Sequence, residues 1–276
     1  MRKKLIAPHS RQRPARPDYG PERQLLKPKD KSIIFGVQPV LEALRAGGRR
    51  IDKILIADGA KEERLHQITD LARHNGIPLT MLPSTGLERF LDGNVNHQGV
   101  IAFTASAEYA AADEILDACG EDALVVLLDG VEDPRNLGAI LRVAECAAVD
   151  GVFIPERRAV GLTDTVGKSS AGAIEYVKVA KVPNLNRLID ELKQRRIWVV
   201  GTSMEASMNY TDWDWTQPSA LVLGGEGSGL HRLVAENCDV LVKITMYGRI
   251  DSLNVSVAAG VILFEARRQR GKDSGQ

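Results

Sequence analysis

The first third of the chain alternates between the apolar spacing of helices and that of strands. Val40, Leu41 and Leu44 would share one face of a helix, whereas residues 51–57 (IDKILIA) alternate as a strand does. The other expected elements are a helix around residues 65–72 and strands at residues 78–81 and 99–103. This alternation is typical of a small α/β domain, which we predict over residues 32–104.

The alternation begins again near residue 123, after a small and polar stretch (ASAEYAAAD) that favours a linker over residues 105–120. Continuous apolar runs such as VVLL at residues 125–128 are typical of parallel strands buried on both faces. Expected strands lie at residues 124–128, 151–154, 197–201, 220–223 and 240–244, and expected helices at residues 137–148, 185–195 and 255–268. We predict a second α/β domain over residues 121–270 and a short tail at residues 271–276.

Three polar clusters lie at the ends of apolar runs in this second domain. They read DPRNLGAILR at residues 133–142, LVLGGEGSGL at residues 221–230 and DSLNVSVAAG at residues 251–260. Loops that follow parallel strands meet at one edge of the sheet, where open α/β folds bind their ligands. We therefore expect the three clusters to form one composite pocket.

Taken singly, each cluster has a structural alternative. Asn136 stands where a helix N-cap is expected, and Arg142 either binds a ligand or pairs with Glu145 on an otherwise apolar helix. The Gly-rich second cluster lacks the GxGxxG spacing of a dinucleotide site, so its backbone either approaches a ligand closely or forms a plain turn. Ser252 and Asn254 either cap the helix that follows them or contact a ligand.

Charge is distributed unevenly along the chain, although the formal net charge is zero. Residues 1–31 carry ten Lys or Arg against three acids, together with five prolines. So polar a segment cannot bury enough apolar surface to offset its ordering entropy, and we predict a basic disordered arm. Such an arm suits RNA or DNA, or it is a solubilising tail.

Several classes of protein are disfavoured by composition. The three cysteines fit neither a zinc site nor a disulfide framework, and no His/Cys/acid ligand set predicts a metal. No apolar run approaches the roughly 18 residues of a membrane span, and the basic N-terminus lacks a signal-peptide core. We therefore expect a cytoplasmic protein without metal.

Together, the three clusters resemble the signature motifs of the SpoU (TrmH) family of RNA ribose 2′-O-methyltransferases. The matching segments are NLGAILR, LVLGGEGSGL and SLNVSVAAG, in the family's order and spacing. Residues 33–103, which open with IIFGVQPVLEAL, are similar to the substrate-binding domain of the subgroup that modifies a guanosine in 23S ribosomal RNA. The resemblance covers nearly all of the chain except the first 31 residues.

The resemblance implies a C-terminal trefoil-knotted (SPOUT) methyltransferase domain, an N-terminal ribosomal L30e-like domain, S-adenosylmethionine as methyl donor and a homodimer. By motif position, the functional polar residues would be Asn136, Arg142, Glu226, Ser252 and Asn254. The cofactor-binding positions would be Thr202, Gly224, Gly225, Ile244, Met246, Ser252 and Leu253. The family's proposed base is the arginine at the position of Arg142. Here it either acts as that base, against a usual pKa above about 12, or binds an RNA phosphate.

From this resemblance we expect an enzyme that methylates the ribose 2′-hydroxyl of a guanosine in 23S ribosomal RNA. Two alternatives stay open, namely the same chemistry on tRNA and a non-catalytic RNA-binding protein. The small N-terminal domain favours ribosomal RNA, because the tRNA enzymes of the family usually lack it. The intact motif residues favour catalysis.

Overall fold

The first sheet of the computed structural model has four strands in the order β1-β4-β2-β3. The structure describes residues 31–59, 63–91, 95–227 and 229–273, so the predicted arm lies outside the described residues except for Lys31. The strands are β1 (Lys31–Phe35), β2 (Ile51–Ala57), β3 (Leu79–Leu82) and β4 (Val100–Ala105). The helices are α1 (Val37–Ala46), α2 (Glu63–His74) and the short α3 (Ser84–Leu87). α1 and α2 cover one face of the sheet, and α3 lies on the other.

The second sheet has seven strands, whose recorded pairings are all parallel, in the order β7-β6-β5-β10-β8-β11-β9. The strands are β5 (Leu124–Asp129), β6 (Gly151–Pro155), β7 (Val179–Val182), β8 (Trp198–Thr202), β9 (Met208–Asn209), β10 (Ser219–Gly224) and β11 (Val240–Lys243). Every residue of β5 is buried, as its continuous apolar run predicts for a strand covered on both faces.

Helices cover both faces of this second sheet. They are α4 (Ala112–Ala118), α5 (Pro134–Cys146), α6 (Asp164–Ser169), α7 (Leu185–Gln194), α8 (Arg232–Glu236) and α9 (Val255–Asp273). One core contains residues of α5, α6 and α9, and the other contains residues of α4, α7 and α8. In the described part of the chain, no helix is long and apolar enough to cross a membrane.

Most predicted elements of the second domain are present, but its boundaries differ. The five predicted strands occur, each displaced by one residue at one or both ends. β7 and β9 were not predicted, because β7 has a central exposed lysine and β9 has only two residues. α9 continues to Asp273, so the predicted tail is wrong for residues 271–273.

The predicted linker at residues 105–120 is wrong for much of its length. Ala110 forms a bridge with Ala180 next to β7, and its N–H donates to the carbonyl of Val179 at 2.9 Å. Ile115 and Leu116 of α4 are buried against the second sheet. The small residues form a helix here because two adjacent aliphatic side chains anchor it, so this segment packs as part of the second domain.

Polar contacts join the first domain to residues 168–176 of the second domain, in and after α6. Arg49 donates from Nε to Glu175 at 2.8 Å, and the two side chains are only 10% and 2% exposed. The Tyr176 hydroxyl donates to Glu42 at 2.7 Å, and burial together with this carboxylate raises the pKa of Tyr176 to about 12. Lys168 of α6 donates to the carbonyl of residue 96 at 2.6 Å. These contacts hold the two layers in one arrangement.

Candidate active site

The first polar cluster lies at the start of α5. Asp133 is the N-cap, since its Oδ1 accepts a hydrogen bond of 2.8 Å from the N–H of Arg135, and Pro134 follows in the first turn. The structural alternative for Asn136, that it caps this helix, is therefore wrong. Asn136 lies within the first turn and is buried, 8% exposed, so its amide can bond residues of other loops.

Asn136, Glu226 and Asn254 form one hydrogen-bonded group, which we call the amide–carboxylate cluster. Glu226 Oε1 accepts from Asn136 Nδ2 and from Asn254 Nδ2, each at 2.8 Å. Asn254 Nδ2 also donates to Asn136 Oδ1 at 3.0 Å. Each residue comes from a different polar cluster of the sequence, so the three loops meet, as expected for loops at one edge of a parallel sheet.

The third polar cluster both caps α9 and joins this group. Asn254 Oδ1 accepts from the N–H of Ser256 at 2.9 Å, while its amide nitrogen bonds the other two members of the amide–carboxylate cluster. Asn254 therefore caps the helix, while contact with a ligand stays a prediction. Ser252 is exposed, and its hydroxyl forms no hydrogen bond among the described residues.

Arg142 lies apart from the amide–carboxylate cluster. It is exposed on α5, six residues and about 9 Å along the helix axis from Asn136. The alternative ion pair with Glu145 is not formed, and no other described residue bonds the guanidinium. Glu226 bonds Asn136 and does not reach Arg142.

The predicted cofactor positions converge from three neighbouring strands. β8 lies between β10 and β11, so the carboxyl ends of all three open at the same edge. Thr202 ends β8, pairs with Val242 and donates its hydroxyl to the carbonyl of residue 222 at 3.2 Å. Ile244 and Met246 follow β11 and are half-buried, and Leu253 is 41% exposed.

Gly224 and Gly225 are fixed by the protein's own backbone. A Cβ on Gly225 would lie 2.9 Å from the carbonyl carbon of Gly130 and closer still to its oxygen, and one on Gly224 would overlap Gly229. Any side chain here would push apart the turns that follow β5 and β10. The glycines thus permit close packing of the turn that carries Glu226. Their backbone approaches the protein's own chain at Gly130 and Gly229.

A cavity of about 300 Å³ opens beside the amide–carboxylate cluster. It lies at the small end of the range for ligand pockets, about 300–1,000 Å³. Its lining consists of Gly130, Val131, Glu132, Asp133, Asn136, Arg158, Glu226, His231 and Val255. The described residues contain no group of three or more His, Cys, Asp or Glu that could hold a metal ion.

Two polar groups at this cavity were not predicted from the sequence, namely the pair of Asp129 and His231 and the residue Arg158. Asp129, 5% exposed at the end of β5, accepts from the N–H of His231 at 2.7 Å and lies 2.9 Å from its Nδ1. Arg158 lies in the loop after β6. A single histidine and a single arginine carry no spacing signal, whereas an acid at the end of a continuous apolar run, such as Asp129, is a signal that could have been used.

Two family models match most of the described chain. The model of the SpoU rRNA methylase family covers residues 123–264, and that of the RNA 2′-O ribose methyltransferase substrate-binding domain covers residues 33–110. The chain belongs to the SpoU rRNA methylase family. Its relative YacO of Bacillus subtilis (strain 168), assigned to the TrmH family of tRNA/rRNA methyltransferases, is 42% identical over 240 residues. The match covers 86% of this chain and 95% of YacO.

Solved structures similar to this SpoU-family chain differ in how much of it they cover. The match to an RNA 2′-O ribose methyltransferase (27% identical, TM-score 0.75) covers 90% of this chain and 93% of the chain of that enzyme. The match to an AdoMet-bound rRNA methyltransferase from Sinorhizobium meliloti (25% identical, TM-score 0.68) covers 87% of this chain and 88% of that enzyme's chain. The match to a TrmH/SpoU tRNA modifying enzyme from A. aeolicus (33% identical, TM-score 0.51) covers 58% of this chain and 81% of that enzyme's chain.

Proposed function

We propose that this SpoU-family enzyme transfers the methyl group of S-adenosylmethionine to the ribose 2′-hydroxyl of a guanosine in 23S ribosomal RNA. The observation that carries the proposal is the amide–carboxylate cluster, which joins residues of all three polar clusters beside a cavity of about 300 Å³. The match of residues 33–110 to a substrate-binding domain of RNA 2′-O ribose methyltransferases supports the ribose as acceptor.

The ends of β8, β10 and β11 fit S-adenosylmethionine. Thr202 and Gly224 are the last residues of β8 and β10, so polar backbone lies there, and the partly exposed Ile244, Met246 and Leu253 offer apolar surface. That mixture suits a ligand with an aromatic base and a charged amino-acid tail. The AdoMet-bound rRNA methyltransferase of S. meliloti supports the same ligand. When bound, the cofactor supplies an electrophilic methyl group.

The chain's own residues must position the 2′-hydroxyl and remove its proton, because a neutral hydroxyl is a poor nucleophile. Glu226 uses Oε1 for both amides, while its Oε2 forms no hydrogen bond within the described residues. We assign the amide–carboxylate cluster, together with Ser252, to orienting the ribose. We assign Arg142 to the RNA rather than to the cofactor, where it either holds a phosphate or takes up the proton of the 2′-hydroxyl.

The share of this chain that each similar structure matches favours ribosomal RNA over tRNA as the substrate. The S. meliloti rRNA enzyme matches 87% of this chain, whereas the A. aeolicus tRNA modifying enzyme matches 58%. A match of that smaller extent cannot include both domains in full. The additional small domain is therefore the part that we assign to choosing the RNA, and residues 121–270 are the part that we assign to the chemistry.

We also propose that the enzyme is a homodimer. Several large apolar side chains are exposed just before α9 and along it, and an exposed apolar patch of this kind commonly marks an interface. The exposed residues are Tyr247, Ile250, Leu253, Val257 and Phe264. A second copy on this surface would cover them.

Two finer fold assignments belong to the same proposal. We propose a trefoil knot in the second domain and an L30e-like fold for the first, and we place the enzyme in the cytoplasm.

The proposal is tested by offering purified 23S ribosomal RNA and tRNA separately, each with methyl-labelled S-adenosylmethionine. We expect label in the 23S ribosomal RNA at one nucleotide. Label in tRNA alone would favour the alternative substrate. Binding of RNA with no transfer to either substrate would favour a non-catalytic RNA-binding protein and overturn the proposal.

A further inference from the structure

We propose that Arg158 contacts the RNA directly and holds a phosphate of the target nucleotide in the cavity beside the amide–carboxylate cluster. This inference rests on the proposed function and assigns to it a residue that none of the three sequence motifs contains. Arg158 lies in the loop after β6 and lines the same cavity as Asn136 and Glu226. It would therefore act on the same nucleotide as they do.

The backbone at Arg158 is unusual. Its φ is 58°, in the left-handed region that arginine seldom adopts. Non-glycine residues in such conformations concentrate at ligand sites, where surrounding structure imposes them. The conformation belongs to a residue that lines the cavity, which is a second reason to assign Arg158 a ligand.

The charges of the cavity leave Arg158 without a protein partner. Asp133 accepts from the N–H of Arg135, and Glu226 accepts from two amides. His231 turns Nδ1 toward Asp129. Within the described residues, no hydrogen bond or ion pair engages the guanidinium of Arg158, although carboxylates lie in the same lining. A permanently charged group with five donors is thus available to an anion.

A phosphate is the anion that the neighbouring chemistry would bring. The 2′-hydroxyl and the 3′-phosphate of a ribonucleotide are borne by adjacent ribose carbons, so a group that orients the first lies close to the second. Arginine binds phosphate with two parallel N–H donors, which fixes both distance and angle. Holding the phosphate would thereby restrict the ribose to the orientation in which its hydroxyl faces the amide–carboxylate cluster.

The test compares Arg158→Asn and Arg158→Lys with Arg157→Asn in the full chain. Asparagine tolerates the left-handed backbone and removes the charge, whereas lysine keeps the charge and loses the paired donors. Arg157 is the matched control because it is exposed in the same loop and does not line the cavity. Protein-free 23S ribosomal RNA is the probe, and S-adenosylmethionine affinity reports on folding.

For Arg158→Asn we expect RNA affinity to fall roughly 10- to 100-fold, as for loss of a charge-assisted hydrogen bond, with cofactor affinity unchanged. The slope of log affinity against log salt should flatten by about 0.7–0.9, the value for one phosphate contact. The single-turnover rate at saturating RNA should also fall. Arg158→Lys should recover the slope but not the rate, and Arg157→Asn should retain the rate.

Two results overturn the inference in distinguishable ways. If the wild-type enzyme methylates RNA and Arg158→Asn matches it in rate and salt slope, Arg158 holds no phosphate and the proposed function survives. Equal losses in the Arg157 and Arg158 variants would show a general effect of positive charge and also reject the subsite. If the wild-type enzyme methylates no RNA, the proposed function fails and the inference fails with it.

Discussion

Replacing Glu226 tests whether the amide–carboxylate cluster positions the substrate. The carboxylate accepts two hydrogen bonds of 2.8 Å through one oxygen, from Asn136 and from Asn254. Glu226→Ala removes both bonds and leaves the Asn136 amide nitrogen, on a residue only 8% exposed, without an acceptor. Glu226→Gln keeps a carbonyl acceptor of the same length but removes the negative charge.

The size of the effect follows from these contacts. A buried donor left unsatisfied costs about 1–3 kcal/mol. Because Glu226 itself is exposed, we expect Glu226→Ala to lower the free energy of unfolding by about 1–2 kcal/mol. Each kcal/mol lowers Tm by about 2–4 °C in a domain of 150–250 residues. Glu226→Gln should cost about half as much, since bonds to a neutral acceptor are about half as strong.

The effect on catalysis should be far larger than the effect on stability. A displacement of the positioning groups by about 1 Å can lower a rate about 100-fold, so we expect at least that loss in single-turnover methyl transfer for Glu226→Ala. Cofactor affinity, measured by calorimetry, should change little. Glu121→Gln is the control, because Glu121 is exposed and its side chain bonds no described residue. A folded Glu226→Ala enzyme with a normal rate would refute the role of the cluster.

Three further predictions follow from the fold and the charges. Arg142→Ala should abolish methyl transfer with cofactor affinity intact, and Arg142→Lys should not rescue it; near-normal single-turnover rates would remove Arg142 from the mechanism. Deleting residues 1–30 should weaken RNA binding and flatten its salt dependence in a titration series; an unchanged slope would show that the arm touches no phosphate. Gly138→Ala would place a Cβ 2.8 Å from Ser169 Cβ and should cost about 1–3 kcal/mol in denaturant unfolding. Gly260→Ala should not lower stability, because its Cβ would meet nothing closer than 3.8 Å. Equal stability of the Gly138→Ala and Gly260→Ala variants would contradict this packing.

Local apolar patterns predicted the elements of the second sheet better than their order. The run at β5 marks a strand buried on both faces, and all six of its residues are buried. The position of β10 between β5 and β8 could not be predicted, because strand neighbours depend on crossover connections rather than on local spacing. α4 was mistaken for a linker, because its two buried aliphatic residues stand among small and polar ones.

The convergence of Asn136, Glu226 and Asn254 was predictable, since each lies in a polar cluster next to a strand or helix of a parallel α/β domain. Their individual bonds were not. The structural alternative for Asn136 was a cap of α5, but Asp133 lies three residues earlier and directly before Pro134, and it takes that role. Arg158 gave no signal, because it is one of 36 Lys and Arg and its loop has no distinctive composition.

The central claim is that the methyl group is placed on a ribose oxygen. The most direct measurement digests the labelled 23S ribosomal RNA completely to nucleosides and identifies the labelled product by mass spectrometry. We predict a single labelled product, 2′-O-methylguanosine, and none when the target nucleotide carries a 2′-deoxyribose. Label on a base, or transfer that persists on the deoxyribose substrate, would contradict the account.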